Sequence, residues 1–301
     1  MNFEIIKIPQ PFFEPTNVIR IEDTIIDAGH VGELSTNALA EQLERGSLQD
    51  VKEVIITHPH IDHVGVSVAL ARLAEKPHIV FRGSEWIIQH FTEYTLQVRD
   101  EQERLLAGVN PTVGKALWEF FKIYFPLDQE YERVNISRAV EAEDEINMGD
   151  IALRVIHTPG HEVSHMALFH KSSGTLFSGD LIGKSAHFNP APLSSSIADY
   201  EESLKRVRDL SPQLIVPAHG DVIDNPVEHV NECLANVQDM KGRILDVLEK
   251  CPEATSAEIA NEIFKGSDPM KAGIQNALVL LYLERLNEEG AGCSNRGQAH
   301  S

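Results

Sequence analysis

The motif Thr-His-Pro-His-Ile-Asp-His at residues 57–63 places three imidazoles and one carboxylate in a single short loop. The apolar run that precedes it predicts a buried strand, and residues 64–75 have the pattern of a helix. Imidazole suits Zn²⁺, iron and Mn²⁺, and a carboxylate adds a harder ligand. Four such side chains between a strand and a helix predict a metal-binding loop rather than a polar helix cap. The candidate ligands are His58, His60, Asp62 and His63.

Three later motifs place a ligand-type residue just after an apolar strand. They are TPGH at 158–161, LFSGD at 176–180 and LIVPAHG at 214–220. Loops at strand ends can converge on one point while the sheet holds them rigid. A buried carboxylate at such a place needs a metal ion, a salt bridge or a helix N-terminus, because an unpaired buried charge is very costly. The further candidate ligands are His161, Asp180 and His219.

Two other histidines flank the TPGH motif. His157 precedes it, and a supporting or core position is favoured over a ligand role. His165 lies four residues beyond His161, where it could line the mouth of a pocket.

Strands and helices alternate along most of the chain, which predicts the α/β class. The main interruption is residues 84–131, where the pattern is helical and rich in aromatic residues. After residue 235 the pattern becomes helical again, with a capping box at Thr255–Glu258 and a further helix that opens at Ser267 and stops at Gly290. We therefore predict one domain at 1–235 with a helical insertion at about 84–131, a small module at 236–290, and a disordered tail at 291–301.

Composition narrows the class of partner. The 301 residues include 46 acidic and 26 basic ones, a formal charge of −20, which disfavours binding to nucleic acid phosphates. Three cysteines without a C-x-x-C pair indicate neither a disulfide framework nor a thiolate metal site. Without a signal sequence or an apolar run of about 20 residues, we expect a cytoplasmic protein with no membrane contact.

Taken in order, the motifs THxHxDH, TPGH, SGD and AHG resemble those of the metallo-β-lactamase superfamily over residues of about 20–225. The resemblance implies an αββα sandwich built from two similar halves. It also implies two divalent metal ions, with Zn²⁺ favoured and iron or Mn²⁺ as alternatives. The first ion would be held by His58, His60 and His161, the second by Asp62, His63 and His219, with Asp180 between them.

The complete ligand set matches the glyoxalase-II-like, lactonase-like and ribonuclease-Z-like branches. Asp180 stands where classical β-lactamases of the superfamily have a cysteine, so a β-lactam substrate is not expected. A water between two cations loses a proton near neutral pH, and the resulting hydroxide can attack a carbonyl or phosphoryl centre. In this scheme Asp62 orients the nucleophile, and Asp27 hydrogen-bonds a ligand histidine.

The aromatic insertion suits a substrate with an apolar part, such as an ester, thioester or lactone, although these rings can equally form the insertion's own core. Candidate pocket residues are Trp86, Tyr94 and Phe121. The C-terminal module resembles the winged-helix-like module of β-lactamase-like protein 2. From Asn236 onward it has seven basic and ten acidic residues, which favours dimer contact or closure of the cleft over RNA binding.

Three other functions remain open. They are a metal-dependent endoribonuclease or phosphodiesterase, a non-catalytic signal-binding regulator on the same fold, and redox chemistry at iron. The last is disfavoured because no flavodoxin-like segment is present.

Overall fold

Short strands rich in isoleucine and valine alternate with amphipathic helices in the computed structural model, which describes residues 1–106, 122–126, 131–191, 194–266 and 271–290. The first half contains β1 (Glu4–Ile8), β2 (Thr16–Ile21), β3 (Thr24–Ile26), α1 (Glu33–Arg45), β4 (Glu53–Ile56), α2 (Gly65–Ala69), α3 (Ala71–Ala74), β5 (His78–Phe81), α4 (Ser84–Gln89), α5 (Phe91–Leu106) and β6 (Ile136–Val140). The second half contains β7 (Glu145–Met148), β8 (Ile151–His157), β9 (Met166–His170), β10 (Thr175–Gly179), α6 (Ile197–Leu210), β11 (Leu214–Pro217), α7 (Pro226–Lys250), α8 (Ser256–Ile263) and α9 (Ala272–Glu288).

The strands form two sheets whose ends meet at one edge. The first sheet has the order β1-β2-β3-β4-β5-β6, with parallel pairing from β3 onward, and the second has the order β11-β10-β9-β8-β7. The Met166 amide donates to the Thr57 carbonyl at 2.9 Å, and the Asn17 amide donates to the Ala218 carbonyl at 2.7 Å. These bonds join the sheets beside the loops that follow β4 and β11.

Apolar side chains form three layers of core. One cluster fills the space between the sheets, and the other two lie under the helices on each outer face. Members of the central cluster include Ile26, Ile55, Leu153, Phe177 and Val216. The order of layers is therefore helix, sheet, sheet, helix, and the predicted αββα sandwich is confirmed.

Several elements differ from the sequence-based expectation. The helix predicted at 64–75 is divided into α2 and α3, because Leu70 has extended backbone angles (φ −127°, ψ 106°). Strands β6 and β7, which lie at the edges of different sheets, occupy a stretch where the sequence predicted none. The boundary expected at residue 236 falls inside α7, which continues from the sandwich into the C-terminal helices without a linker.

The C-terminal module is helical wherever the structure describes it. Thr255 and Glu258 form the expected capping box at the start of α8. Within 226–266 and 271–290 there is no strand that could form a wing. The predicted disordered tail at 291–301 and the helix start at Ser267 lie outside the described residues. None of the described helices combines the length and apolar character needed to cross a membrane.

A buried ion cluster fixes this module to the sandwich. Glu201 on α6 is 4% exposed and Lys241 on α7 is 5% exposed, and the ammonium lies 3.0 Å from the carboxylate. Arg285 on α9 also contacts Glu201, at 3.0 Å, and Glu289 contacts Lys241 at 2.8 Å. Three helices from different parts of the chain thus share one charge network.

Removing the central carboxylate is expected to destabilise the fold. Glu201→Ala leaves the Lys241 ammonium buried with only part of its counter-charge, which should lower the free energy of unfolding by about 3–5 kcal/mol. Chemical denaturation checks this value. The control is Glu202→Ala, whose partner Lys205 is exposed like itself and whose loss should change little. Equal effects of the two substitutions would contradict the role given to the buried network.

The first sheet also contains an acid-sensitive histidine. His78 on β5 is buried, its Nδ1 donates to the Lys76 carbonyl at 2.7 Å, and its Nε2 accepts from Ser67 at 2.9 Å. Burial lowers the pKa of His78 to about 4, against 6.5 in an unfolded chain. The stability that depends on the neutral ring is therefore present above pH 6.5 and is lost as the pH falls through 4.

We accordingly expect His78→Gln to flatten the acid side of the stability profile. Because the buried ring stays neutral, the free energy of unfolding should be about 2 kcal/mol lower at pH 5 than above pH 7. The difference in unfolding free energy between wild type and variant should shrink by about this amount between pH 7 and pH 5. Urea denaturation at a series of pH values measures it, and a constant difference would contradict the assignment.

Candidate metal centre

The strand ends bring five histidines and two aspartates together at one edge of the sandwich. Their ligand atoms form three groups in which all atoms lie within 4.8 Å of one another. The groups are His58, His60 and His161; His58, His63 and Asp180; and Asp62, His63 and His219. We call the first group the His cluster and the third the Asp–His cluster. All seven predicted ligands are thus adjacent, although they come from four separate loops.

Asp27 orients two of the histidines from below. His63 Nδ1 donates to Asp27 Oδ2 at 2.9 Å. His58 Nδ1 lies 3.0 Å from the Thr57 hydroxyl, which in turn donates to Asp27. The aspartate has φ 62°, a left-handed conformation unusual for a non-glycine residue, at the turn after β3. Both rings therefore present Nε2 to the centre of the site.

His60 and His161 face each other within the His cluster. His60 Nδ1 lies 2.9 Å from His161 Nε2, and His161 Nδ1 donates to the Asn189 carbonyl at 2.7 Å. On its other side, His60 Nε2 lies 3.5 Å from Glu162 Oε2. Burial alone would raise the pKa of Glu162, but His60 and the hydroxyl of Ser194 lower it to about 2.

Asp180 lies between the two clusters. Its carboxylate is 3.5 Å from Nε2 of each of three histidines, which are His63, His161 and His219. Its backbone N–H donates to His165 Nε2 at 3.1 Å. His165 is fully buried, and its Nδ1 donates to Thr158 at 2.8 Å. This histidine therefore lies beneath Asp180 rather than at the mouth of the pocket, where the sequence had placed it.

The charges of the site are those of a cation-binding centre. Burial alone would lower the pKa of His219, but Asp180 and Asp62 raise it to about 9. In the same way, Asp180 and Asp27 outweigh burial and raise the pKa of His63 well above its usual value. Protons on these rings balance the carboxylates where a metal ion would otherwise do so.

Unpaired nitrogen atoms also indicate that the site fits a metal ion. Nε2 of His58 and Nε2 of His63 are buried and have no hydrogen-bond partner within the described part of the chain. A buried polar atom without a partner is costly, and divalent metal ions at the site would satisfy both nitrogen atoms. The residues present therefore fit the ligand preferences of Zn²⁺, iron or Mn²⁺.

The remaining predicted residues have mixed positions. His157 bonds to the Val163 carbonyl at 2.8 Å and stacks on Phe81, so it supports the end of β8. Trp86 is 45% exposed and stacks on His90, outside the cavity wall. Tyr94 is buried and lines the cavity. Phe121 lies outside the described residues.

A cavity of about 1060 Å³ opens onto the candidate ligand side chains. Its floor includes His60, Asp62, Asp180 and His219. Its walls are largely apolar and aromatic, with contributions from the loop between β1 and β2, from α5 and from the first turn of α9. These wall residues include Phe12, Phe13, Phe91, Tyr94, Val98, Tyr124, Phe188 and Ile274.

Two residues at the site were missed by sequence reasoning. Glu162 follows His161 directly, but an acidic residue in a loop usually faces solvent. Tyr124 lines the cavity, and its hydroxyl lies 3.3 Å from Gln10 Oε1. Burial and the Asp62 carboxylate raise the pKa of Tyr124 well above its usual value, so the phenol stays neutral. A carboxylate next to a ligand histidine was the available signal for Glu162, and no local signal distinguished Tyr124.

An αββα sandwich with a His/Asp centre at one edge defines a class of metal-binding domains. Residues 13–219 match the model of the metallo-β-lactamase superfamily, and the chain belongs to this superfamily. The fold accordingly implies binding of divalent metal ions. A relative named probable metallo-hydrolase YqjP, from Bacillus subtilis, is 25% identical over 86% of this chain and 84% of its own length.

Other relatives agree on the class. The beta-lactamase-like protein 2 homolog of Caenorhabditis elegans is 32% identical over 48% of each chain. Among solved structures, a beta-lactamase domain protein from Burkholderia ambifaria has a TM-score of 0.73 at 21% identity and covers 96% of this chain and 87% of its own. The family protein TTHA1429 of Thermus thermophilus has a TM-score of 0.71 at 20% identity, over 96% of this chain and 94% of its own. These structural likenesses concern the fold alone.

Proposed function

We propose that the protein is a hydrolase with two divalent metal ions that cleaves a carboxylic ester, thioester or lactone of a small, partly apolar substrate. The observation that carries the proposal is the pair of three-residue clusters on either side of Asp180. His58, His60 and His161 would hold one ion, and the Asp–His cluster would hold the other. Zn²⁺ is the metal we favour, with iron or Mn²⁺ as alternatives.

When bound, the ions supply a water of lowered pKa and a positive field for the oxyanion that develops on the scissile carbonyl. The protein's own residues orient the ligand side chains and exclude bulk water from the cavity. Asp27 and Thr57 fix the ring orientations of His63 and His58. Asp62, whose carboxylate lies 3.4 Å from His219 Nε2, faces the cavity and is placed to accept a hydrogen bond from the attacking water.

The cavity wall favours an acyl substrate over a nucleic acid. Phe91, Val98 and Phe188 offer apolar surface next to the ligand residues. The Tyr94 hydroxyl is buried without a hydrogen-bond partner among the described residues, so it can donate to a polar group of the substrate. Phosphate recognition would instead require a row of unpaired basic residues along the cleft. Of the lysines lining the cavity, Lys184 is already paired with Asp221 at 2.6 Å.

Metal analysis combined with a substrate panel tests the proposal. The panel contains an acyl-thioester, an aryl ester, an acyl-homoserine lactone, a phosphodiester and a single-stranded RNA. We expect two metal ions per chain and turnover of an acyl substrate that is lost in His60→Ala. Cleavage of the phosphodiester or RNA alone would establish a nuclease instead. Two metals without any turnover would favour a regulatory protein.

The first turn of α9 forms part of the cavity wall, so we expect the C-terminal module to contribute to substrate binding. Ile274 is 40% exposed and lines the cavity. Ile274→Asp should raise KM for an apolar acyl substrate by about 10-fold or more and leave kcat nearly unchanged, because apolar contact is lost without disturbing the metals. Steady-state kinetics measure this. Leu245→Asp, at a similarly exposed position on α7 outside the cavity wall, is the control, and equal KM values would contradict the prediction.

A further inference from the structure

A fully buried carboxylate, that of Glu162, lies behind the His cluster. The side chain is inaccessible to solvent, and its Oε2 is 3.5 Å from His60 Nε2. No closer hydrogen-bond partner of this nitrogen is found in the described part of the chain. The opposite nitrogen of the same ring, His60 Nδ1, faces His161 at 2.9 Å. The ring of His60 thus separates the carboxylate from the other histidines of the cluster.

Neighbouring groups hold the Glu162 carboxylate in place. The backbone N–H of Ser164 donates to Oε1 at 3.2 Å and its hydroxyl donates at 3.1 Å. The hydroxyl of Ser194 donates to Oε2. The Ser164 hydroxyl also accepts from Ser84 at 3.0 Å, which ties the arrangement to the start of α4. All these donors are neutral, so in the part of the chain that the structure describes the ring of His60 is the one group in contact with Glu162 that can carry a compensating charge.

The His cluster differs in charge from its neighbour. The Asp–His cluster includes the Asp62 carboxylate, and its His63 donates to a second carboxylate, that of Asp27. The His cluster consists of three imidazoles. Within it, His58 and His161 bond to neutral oxygen atoms, the Thr57 hydroxyl and the Asn189 carbonyl. Among the described residues, Glu162 is therefore the one anion that contacts this cluster from the side away from Asp180.

We propose that Glu162 is a positioning residue that accepts a hydrogen bond from His60 Nε2 when Nδ1 of the same ring binds a metal ion, and that its charge strengthens cation binding by the His cluster. This inference rests on the proposed metal centre. A carboxylate behind a ligand histidine raises the basicity of the ring, and loss of such a partner reduces metal affinity by about 10–100-fold.

Two measurements on Glu162→Gln test the proposal. In the Zn²⁺-loaded protein, ¹H–¹⁵N NMR of the histidine rings should show the His60 Nε2 proton shifted downfield by its hydrogen bond to the carboxylate, and this shift should be lost in the variant. In a competition with a chromophoric chelator, the variant should bind the first equivalent of Zn²⁺ about 10–100-fold more weakly. The proposal requires both results, and an unchanged proton shift or an unchanged affinity overturns it.

The matched control is Ser194→Ala, which removes a hydrogen bond to Glu162 but keeps its charge. We expect near wild-type zinc affinity, and a loss as large as that of Glu162→Gln would assign the residue a purely structural role and overturn the proposal. If the wild type binds no Zn²⁺, the proposed function fails, whereas Zn²⁺ binding that is equally tight in the wild type and in Glu162→Gln overturns only the role given to Glu162.

Discussion

Asp180→Asn is expected to lower kcat/KM for the acyl substrate by about 10³-fold or more, since several kcal/mol of charge stabilisation depend on metals that this residue helps to hold. Its carboxylate is the group that lies within 3.5 Å of histidines from both clusters. Asparagine keeps the shape of the side chain and removes the charge. The metal content of the purified variant should fall below that of the wild type.

Metal content and activity have to be measured on the same sample. Dialysis of the wild type against a chelator should abolish turnover, and added Zn²⁺ or Mn²⁺ should restore it. In Asp180→Asn, saturating metal should restore little, because the ion held by the Asp–His cluster loses a ligand. Full recovery at high metal concentration would mean that Asp180 contributes only to metal affinity. The proposal that both metal sites share this residue would then be incorrect.

Asp221→Asn is the control for charge. Asp221 follows the AHG motif closely, is exposed, and pairs with Lys7 and Lys184. Exposed ion pairs contribute little to stability, so metal content and turnover should stay near their wild-type values. Comparable losses in the two variants would indicate that general electrostatics, rather than ligation, explains the effect.

The sequence could predict which side chains meet at the candidate site because they follow directly from strand ends. β4, β10 and β11 are short apolar runs, and each is followed within a few residues by His58, Asp180 or His219. Strand direction then places these residues at one edge, whatever the details of the loops. The alternation of apolar runs with amphipathic helices predicts the α/β class, and the two-sheet sandwich was implied by the resemblance to the superfamily.

Features that depend on packing between distant segments could not be predicted in this way. The sequence suggests that His165 could line the mouth of a pocket, and only its hydrogen bond with the Asp180 amide shows that it lies beneath the site. The contact of Glu162 with His60 joins residues about a hundred positions apart. The unbroken course of α7 through residue 236 depends on its packing against α6 and α9, which a change in local pattern does not reveal.

Gly160→Ala is expected to disrupt both the fold and the candidate site. Gly160 has φ 137°, and a Cβ there would lie 2.5 Å from Tyr200 Cα on α6. Its carbonyl accepts from the Ser196 amide at 2.8 Å, the residue that caps the same helix. The backbone must therefore move, and the free energy of unfolding should fall by about 3 kcal/mol or more through overlap and strain.

The same movement would displace His161, the next residue, so zinc affinity should fall together with stability. Gly149→Ala is the matched control, because Gly149 also has a positive φ (57°) but a Cβ there would have no neighbour within 4 Å. Backbone strain alone should cost it about 1–2 kcal/mol and leave zinc affinity unchanged. Thermal unfolding and chelator competition on both variants separate the two effects. Similar losses of stability in both would mean that the close contact between the TPGH loop and α6 is not what fixes His161.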